Sequence, residues 1–101
     1  MKYNKLVRDK IPQIMARKGE KAIIHIASEN EYWEKLKGKL KEEVEEYFQS
    51  EDKEEIADIL EVILAISDFK KLDMKELEKL RRKKASERGS FKKRIILDEV
   101  N

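Results

Sequence analysis

Two helix-forming segments joined by only a few residues constrain this chain more than any other feature of its sequence. Apolar and aromatic residues recur at steps of three and four from Trp33 to Tyr47, which is the period of one helix face. After the break at residues 50–52, a second segment running to about Lys70 carries apolar side chains around most of its circumference. A connection this short places the two helices side by side and antiparallel. A helical hairpin is therefore the predicted centre of the fold.

Shorter helices are predicted on either side of this hairpin. Pro12 suits the first turn of a short helix that ends near Gly19. Asp73 stands three residues before Glu76, a capping pattern that predicts the start of another helix running to about Ser86. The chain is thus expected to be mainly α, with about three to four helices in a compact bundle.

Two segments favour strands over helices. Residues 23–26 and 94–97 are rich in isoleucine and too short for stable helices, so we expect two strands that pair with each other. All of residues 1–101 are then one domain, a helical bundle with a small two-stranded β element. Because a domain of 101 residues has a limited core, the apolar residues 56–66 also predict burial by self-association.

The composition excludes several classes of protein. There is no cysteine, which rules out disulfides, thiol catalysis and thiolate metal sites. No apolar run approaches the about 18–20 residues of a membrane span, so we expect a cytoplasmic protein with no membrane partner. Charged residues make up 46% of the chain, and the dominance of Lys and Glu resembles the bias of thermophilic proteins.

The charges are not evenly distributed along the sequence. The net charge is only +2, yet residues 42–61 hold ten acidic side chains and a single basic one, Lys53. Basic residues dominate on both sides of this acidic block. Because apolar residues such as Ile56 and Ile59 lie within the block, we expect it to be folded rather than a solvated tail.

The acidic block contains two carboxylate pairs at helical spacing. Glu43 and Glu46 lie three residues apart on the first predicted hairpin helix, and Glu55 and Asp58 do so on the second. Residues three apart are neighbours on a helix surface, and antiparallel packing can bring the two pairs face to face. Four carboxylates repel one another unless a cation lies between them. Oxygen ligands without His or Cys predict Mg²⁺, with Mn²⁺ as the other candidate.

An acidic stripe at helical spacing is more often a solvated helix face, and spacing alone favours that interpretation. Two details oppose it. Asp58 lies inside the apolar stretch from Ile56 to Leu64, and only Lys53 within the block could form local ion pairs. A surface built for stability alternates Lys with Glu at four-residue steps.

The two motifs, Glu-Glu-x-x-Glu followed by Glu-x-x-Asp, resemble the metal-binding signature of the all-α nucleotide pyrophosphohydrolases, the MazG-like and phosphoribosyl-ATP pyrophosphatase superfamily. Residues 4–12 and 87–91 also resemble a compact subgroup described as phosphoribosyl-ATP pyrophosphohydrolase-like. The resemblance implies Mg²⁺-dependent hydrolysis of a nucleoside triphosphate, or a related nucleotide, to the monophosphate and pyrophosphate. It also implies a homodimer or homotetramer.

The same resemblance implies roles for individual residues. The metal ligands and catalytic residues are then Glu43, Glu46, Glu55 and Asp58. Glu42 and Glu61 are further candidates, either behind these ligands or on an additional ion.

Basic residues are expected near the acidic face, because a triphosphate carries about four negative charges that metal ions only partly offset. The candidates flank the acidic block at both ends of the chain: Lys5, Arg8, Lys10, Lys84 and Arg88.

Two other functions are compatible with the sequence. A non-catalytic helical module could present the acidic face to a basic partner. Nucleic-acid binding could use residues 79–84 and 92–94, but the low net charge and the acidic block oppose it.

Overall fold

The computed structural model describes residues 3–101 and is mainly helical. Its elements are α1 (Ile11–Arg17), α2 (Glu29–Ser50), α3 (Lys53–Phe69) and α4 (Met74–Arg88). The expected hairpin is confirmed as α2 and α3, and the two shorter helices are confirmed as α1 and α4.

Three helices begin with a side-chain cap that the sequence supplies. The side chains of Ser28, Asp52 and Asp73 accept hydrogen bonds from backbone N–H groups in the first turns of α2, α3 and α4. Each cap satisfies a donor that has no partner within the helix. The connection between α2 and α3 is only Glu51 and Asp52, and Glu51 adopts a left-handed conformation with a φ of 55°. This reversal makes the two helices antiparallel.

The packing of α2 against α3 forms the core and sets the register of the hairpin. Trp33 stacks on Phe69 at the open end, with ring centroids 5.5 Å apart and nearly parallel planes. Leu36 and Val62 are buried further along the interface. In this register Glu43 lies near Asp58 and Glu55 of α3, and Glu46 lies near Glu55. Although α3 is apolar, no helix in residues 3–101 is long and apolar enough to cross a membrane.

The predicted two-stranded β element is wrong for the single chain. Residues 23–26 and 94–97 are irregular, and the part of the chain that the structure describes contains no strand. The isoleucines concerned are exposed, Ile23 by 93% and Ile26 by 89%. β-branched residues favour a strand only where a neighbouring strand completes its hydrogen bonds, and neither segment has such a neighbour here.

The helical bundle is confirmed, although the described chain is more extended than its length requires. The described chain measures 60 × 31 × 24 Å with a radius of gyration of 18.1 Å. A compact chain of this length has a radius of about 13 Å. The physical reason is that α2 and α3 are the one helix pair packed extensively in residues 3–101, whereas α4 presents most of its surface to solvent.

Candidate metal centre

The α2–α3 hairpin brings the predicted carboxylates together. Two groups are present within residues 3–101, and in each group one carboxylate oxygen from every residue lies within 4.8 Å of the others. One group is Glu42, Glu43 and Glu46 on α2, and the other is Glu43 with Glu55 and Asp58 of α3. Glu43 belongs to both groups. These five residues are called the acidic cluster below.

Glu43 is the buried member of the acidic cluster, with 5% of its surface exposed. Its Oε1 atom lies 3.3 Å from the Nζ atom of Lys39, while its Oε2 atom is buried and has no hydrogen-bond partner. Burial raises the pKa of Glu43, and the nearby carboxylates of Glu46 and Asp58 add to this effect against the attraction of Lys39. A buried carboxylate oxygen without a partner is costly, so a group that binds it would stabilise the fold.

The pKa values of two other carboxylates in the acidic cluster shift in opposite directions. Desolvation, followed by the charge of Glu46, raises the pKa of Glu55. Burial acts in the same direction on Glu42, but its hydrogen bond to Lys5 and the charges of Lys39 and Lys5 outweigh burial and lower the pKa of Glu42. The charges that act on the pKa of Glu55 are thus those of other carboxylates, whereas two lysines act on Glu42.

The N-terminal segment crosses the hairpin and places two of the predicted phosphate-binding residues at the acidic cluster. Lys5 Nζ lies 3.2 Å from Glu42 Oε1, and Arg8 Nη2 lies 2.7 Å from Asp58 Oδ1. Lys35 of α2 fixes the segment further by donating a hydrogen bond of 2.6 Å to the carbonyl oxygen of Asn4. The sequence could not show this route, because no local pattern connects residues 4–8 to residue 58.

The other predicted site residues lie elsewhere. Among the ion pairs of residues 3–101, none joins Lys10, Lys84 or Arg88 to the acidic cluster. Lys84 lines a shallow groove on α4 together with Leu77 and Glu78. Glu61 is exposed on α3 and belongs to neither carboxylate group.

Lys39 is the residue at the site that sequence reasoning missed. Counting basic residues only within 42–61 left Lys53 as the single local partner, whereas Lys39 lies just before the block and contacts both Glu42 and Glu43. Its spacing of three and four residues from these glutamates was a usable signal.

The acidic cluster meets the chemical requirements of a divalent cation. Its donors are all carboxylate oxygens, the ligand type that Mg²⁺ and Mn²⁺ favour. The carboxylates of α2 and those of α3 both approach the buried Glu43. The unpartnered Oε2 atom of Glu43 is the specific observation that distinguishes this cluster from an ordinary solvated acidic face.

Comparisons with known proteins add little to this site. A protein of Mycolicibacterium smegmatis that is described as uncharacterized is 46% identical over 41 residues, or 41% of this chain. The chain spans only 42% of that relative's length. No family model and no solved structure matches the chain. The functional conclusion therefore rests on the site.

Proposed function

We propose that this protein is an Mg²⁺-dependent nucleotide pyrophosphohydrolase that cleaves a nucleoside triphosphate, or a phosphoribosyl-ATP-like nucleotide, to the monophosphate and pyrophosphate. The observation that carries the proposal is the buried, unpartnered Oε2 atom of Glu43 among carboxylates that face one another across α2 and α3. The resemblance of both motifs to the pyrophosphohydrolase signature supplies the reaction class.

The carboxylates of the acidic cluster are the groups that would hold the metal: Glu43, Glu46, Glu55 and Asp58, with Glu42 beside them. When bound, Mg²⁺ supplies positive charge that offsets the phosphates and lowers the pKa of a coordinated water. Mn²⁺ has similar ligand preferences and serves as a spectroscopic substitute.

Two basic side chains at the acidic cluster would orient the phosphates. The Arg8 guanidinium is 56% exposed and binds a carboxylate in a geometry that also suits a phosphate oxygen. Lys5 is a point charge beside Glu42. With the carboxylates neutralised by a bound cation, Arg8 and Lys5 would be free to bind and orient the phosphate chain of an anionic substrate.

A nucleotide panel tests the proposal directly. Purified protein is incubated with nucleoside triphosphates and Mg²⁺ or Mn²⁺, and the products are scored for monophosphate, pyrophosphate and orthophosphate. We expect pyrophosphate from at least one nucleotide, loss of its release in Glu43→Gln, and no change in Glu45→Gln, which alters an exposed glutamate on the same helix. Orthophosphate as the product would contradict the proposed reaction. No release across the panel would contradict the proposal and favour the non-catalytic acidic-face binding module.

We also propose that the protein forms a homodimer or homotetramer. Ile56, Leu60 and Leu64 follow one another at four-residue steps on α3, and each remains 44–57% exposed although the helix is the most apolar in the chain. A second copy could bury this stripe by antiparallel packing of α3 on α3. Light scattering coupled to gel filtration tests it: we expect a dimer or tetramer that Leu60→Glu dissociates, and a monomeric wild-type protein would contradict it.

A further inference from the structure

Lys39 occupies a distinctive place at the acidic cluster. It precedes Glu43 by one helical turn, and its Nζ atom lies 3.3 Å from Glu43 Oε1 and 3.6 Å from Glu42 Oε2. Its side chain is only 19% exposed, far less than those of Lys5 and Arg8. The ammonium group therefore engages one oxygen of Glu43 and leaves the other, Oε2, buried without a partner.

We propose that Lys39 is a positioning residue of the metal centre, which holds Oε1 of Glu43 so that Oε2 is presented to a divalent cation together with Glu55 and Asp58. This inference rests on the proposed function. It assigns the two oxygens of Glu43 different tasks: one binds a fixed ammonium group, and the other is kept for the metal. Groups that bind the far side of a metal ligand orient it in the same way in other metal sites.

Removing Lys39 changes metal affinity in opposite directions for a positioning role and for simple charge neutralisation. A lysine beside a cation site repels the incoming ion, so removing a lysine that only neutralises the carboxylates should strengthen metal binding. Removing a lysine that orients Glu43 should weaken metal binding instead, because the free carboxylate can turn away from its productive rotamer. The two roles thus predict changes in opposite directions.

The experiment measures Mn²⁺ binding alone, without nucleotide, by the electron paramagnetic resonance signal of free Mn²⁺. Lys39→Met keeps the aliphatic length and removes the ammonium group, and we expect Mn²⁺ affinity to fall by about 10-fold or more. Lys39→Arg retains a charged donor and should restore most of the affinity. The matched control is Lys41→Met, which removes the same charge from an exposed position two residues away and should leave affinity unchanged.

A second measurement uses the unaltered protein and does not depend on the folding of any variant. We expect the NMR signal of the Lys39 ammonium to keep the chemical shift of a group paired with a carboxylate when Mg²⁺ saturates the site. Unchanged or tighter Mn²⁺ binding in a folded Lys39→Met variant would overturn the inference, and so would release of the Lys39 ammonium on addition of Mg²⁺. Failure of the wild-type protein to bind Mn²⁺ would instead refute the proposed function.

Discussion

Replacing Glu43 with Gln should stabilise the metal-free protein while destroying its response to metal. The change removes one negative charge and preserves the shape of the side chain. One oxygen of Glu43 lies within 4.8 Å of one oxygen of Glu46, and one lies within 4.8 Å of one oxygen of Asp58. Two unit charges at that separation repel by about 3.5 kcal/mol at an effective dielectric constant of about 20. The attraction between Lys39 and Glu43 at 3.3 Å is about 5 kcal/mol on the same basis.

The balance of these interactions favours the neutral side chain. Repulsion from Glu46 and Asp58, the two charges that raise the pKa of Glu43, together exceeds the attraction of Lys39 by about 2 kcal/mol. Salt and the solvent exposure of Glu46 and Asp58 reduce the difference to about 1 kcal/mol. The raised pKa of Glu43 has the same cause, because the surroundings favour the protonated, neutral carboxyl group over the charged one. For a domain of this size, about 1 kcal/mol corresponds to an increase in Tm of about 4–8 °C.

Metal should reverse the order of stability. Mn²⁺ at about 100 times its Kd stabilises a protein that binds it only when folded by about 2.7 kcal/mol. Glu43→Gln should gain little of this, because its amide lacks the charge that binds the cation. Circular-dichroism melts with EDTA and with saturating Mn²⁺ measure both effects, and Glu45→Gln serves as the exposed control on the same helix.

Two results would refute this reasoning. A metal-free Glu43→Gln protein that melts several degrees below wild type would show that the Lys39–Glu43 ion pair outweighs the repulsion. A Glu43→Gln protein whose Tm rises with Mn²⁺ as much as that of the wild type would remove Glu43 from the metal centre.

Three further predictions follow from named contacts. Arg8→Met should tighten Mn²⁺ binding in an equilibrium titration, because Arg8 occupies Asp58 Oδ1 in the metal-free protein, and it should raise KM for the nucleotide; weaker Mn²⁺ binding would contradict this. The hydrogen bonds and charge of Arg81 lower the pKa of Glu78 from 4.5 to about 2, so the stabilisation is present above pH 4.5 and is lost as the pH falls towards 2. Carboxyl NMR titration should show that value and its return towards 4.5 in Arg81→Met. Leu36→Ala should lower the free energy of unfolding by about 2–5 kcal/mol in urea, since Leu36 is fully buried, and a loss below about 1 kcal/mol would exclude it from the core.

The helices could be predicted from the sequence because their signals are local. Apolar periodicity located α2 and α3, and Asp73 marked the start of α4 through its own side chain. Local signals could not decide whether residues 23–26 and 94–97 form strands. Their stability depends on a neighbour distant in sequence, and propensity alone does not show whether the chain supplies one.

The candidate site was predictable to the same extent. Three-residue spacing placed Glu43 beside Glu46, and the two-residue turn determined that α3 would return along α2 in a register that sets Asp58 opposite Glu43. The burial of Glu43 depends on how closely the helices pack, and the contact of Arg8 with Asp58 depends on the path of the N-terminal segment. Neither leaves a periodic signal in the sequence.

The three cations at the acidic cluster differ in how easily they could leave it. Arg8 and Lys5 approach from the N-terminal segment with side chains about half exposed, so water can replace the carboxylate at small cost. Lys39 is largely buried on α2, and its departure would leave Glu43 Oε1 as well as Oε2 without a partner. Burial therefore divides the positive charge into an exchangeable part suited to phosphate and a fixed part suited to orienting a ligand. Under the proposed function, the acidic cluster would gain a metal ion and an anionic substrate without losing the contact that holds its buried carboxylate.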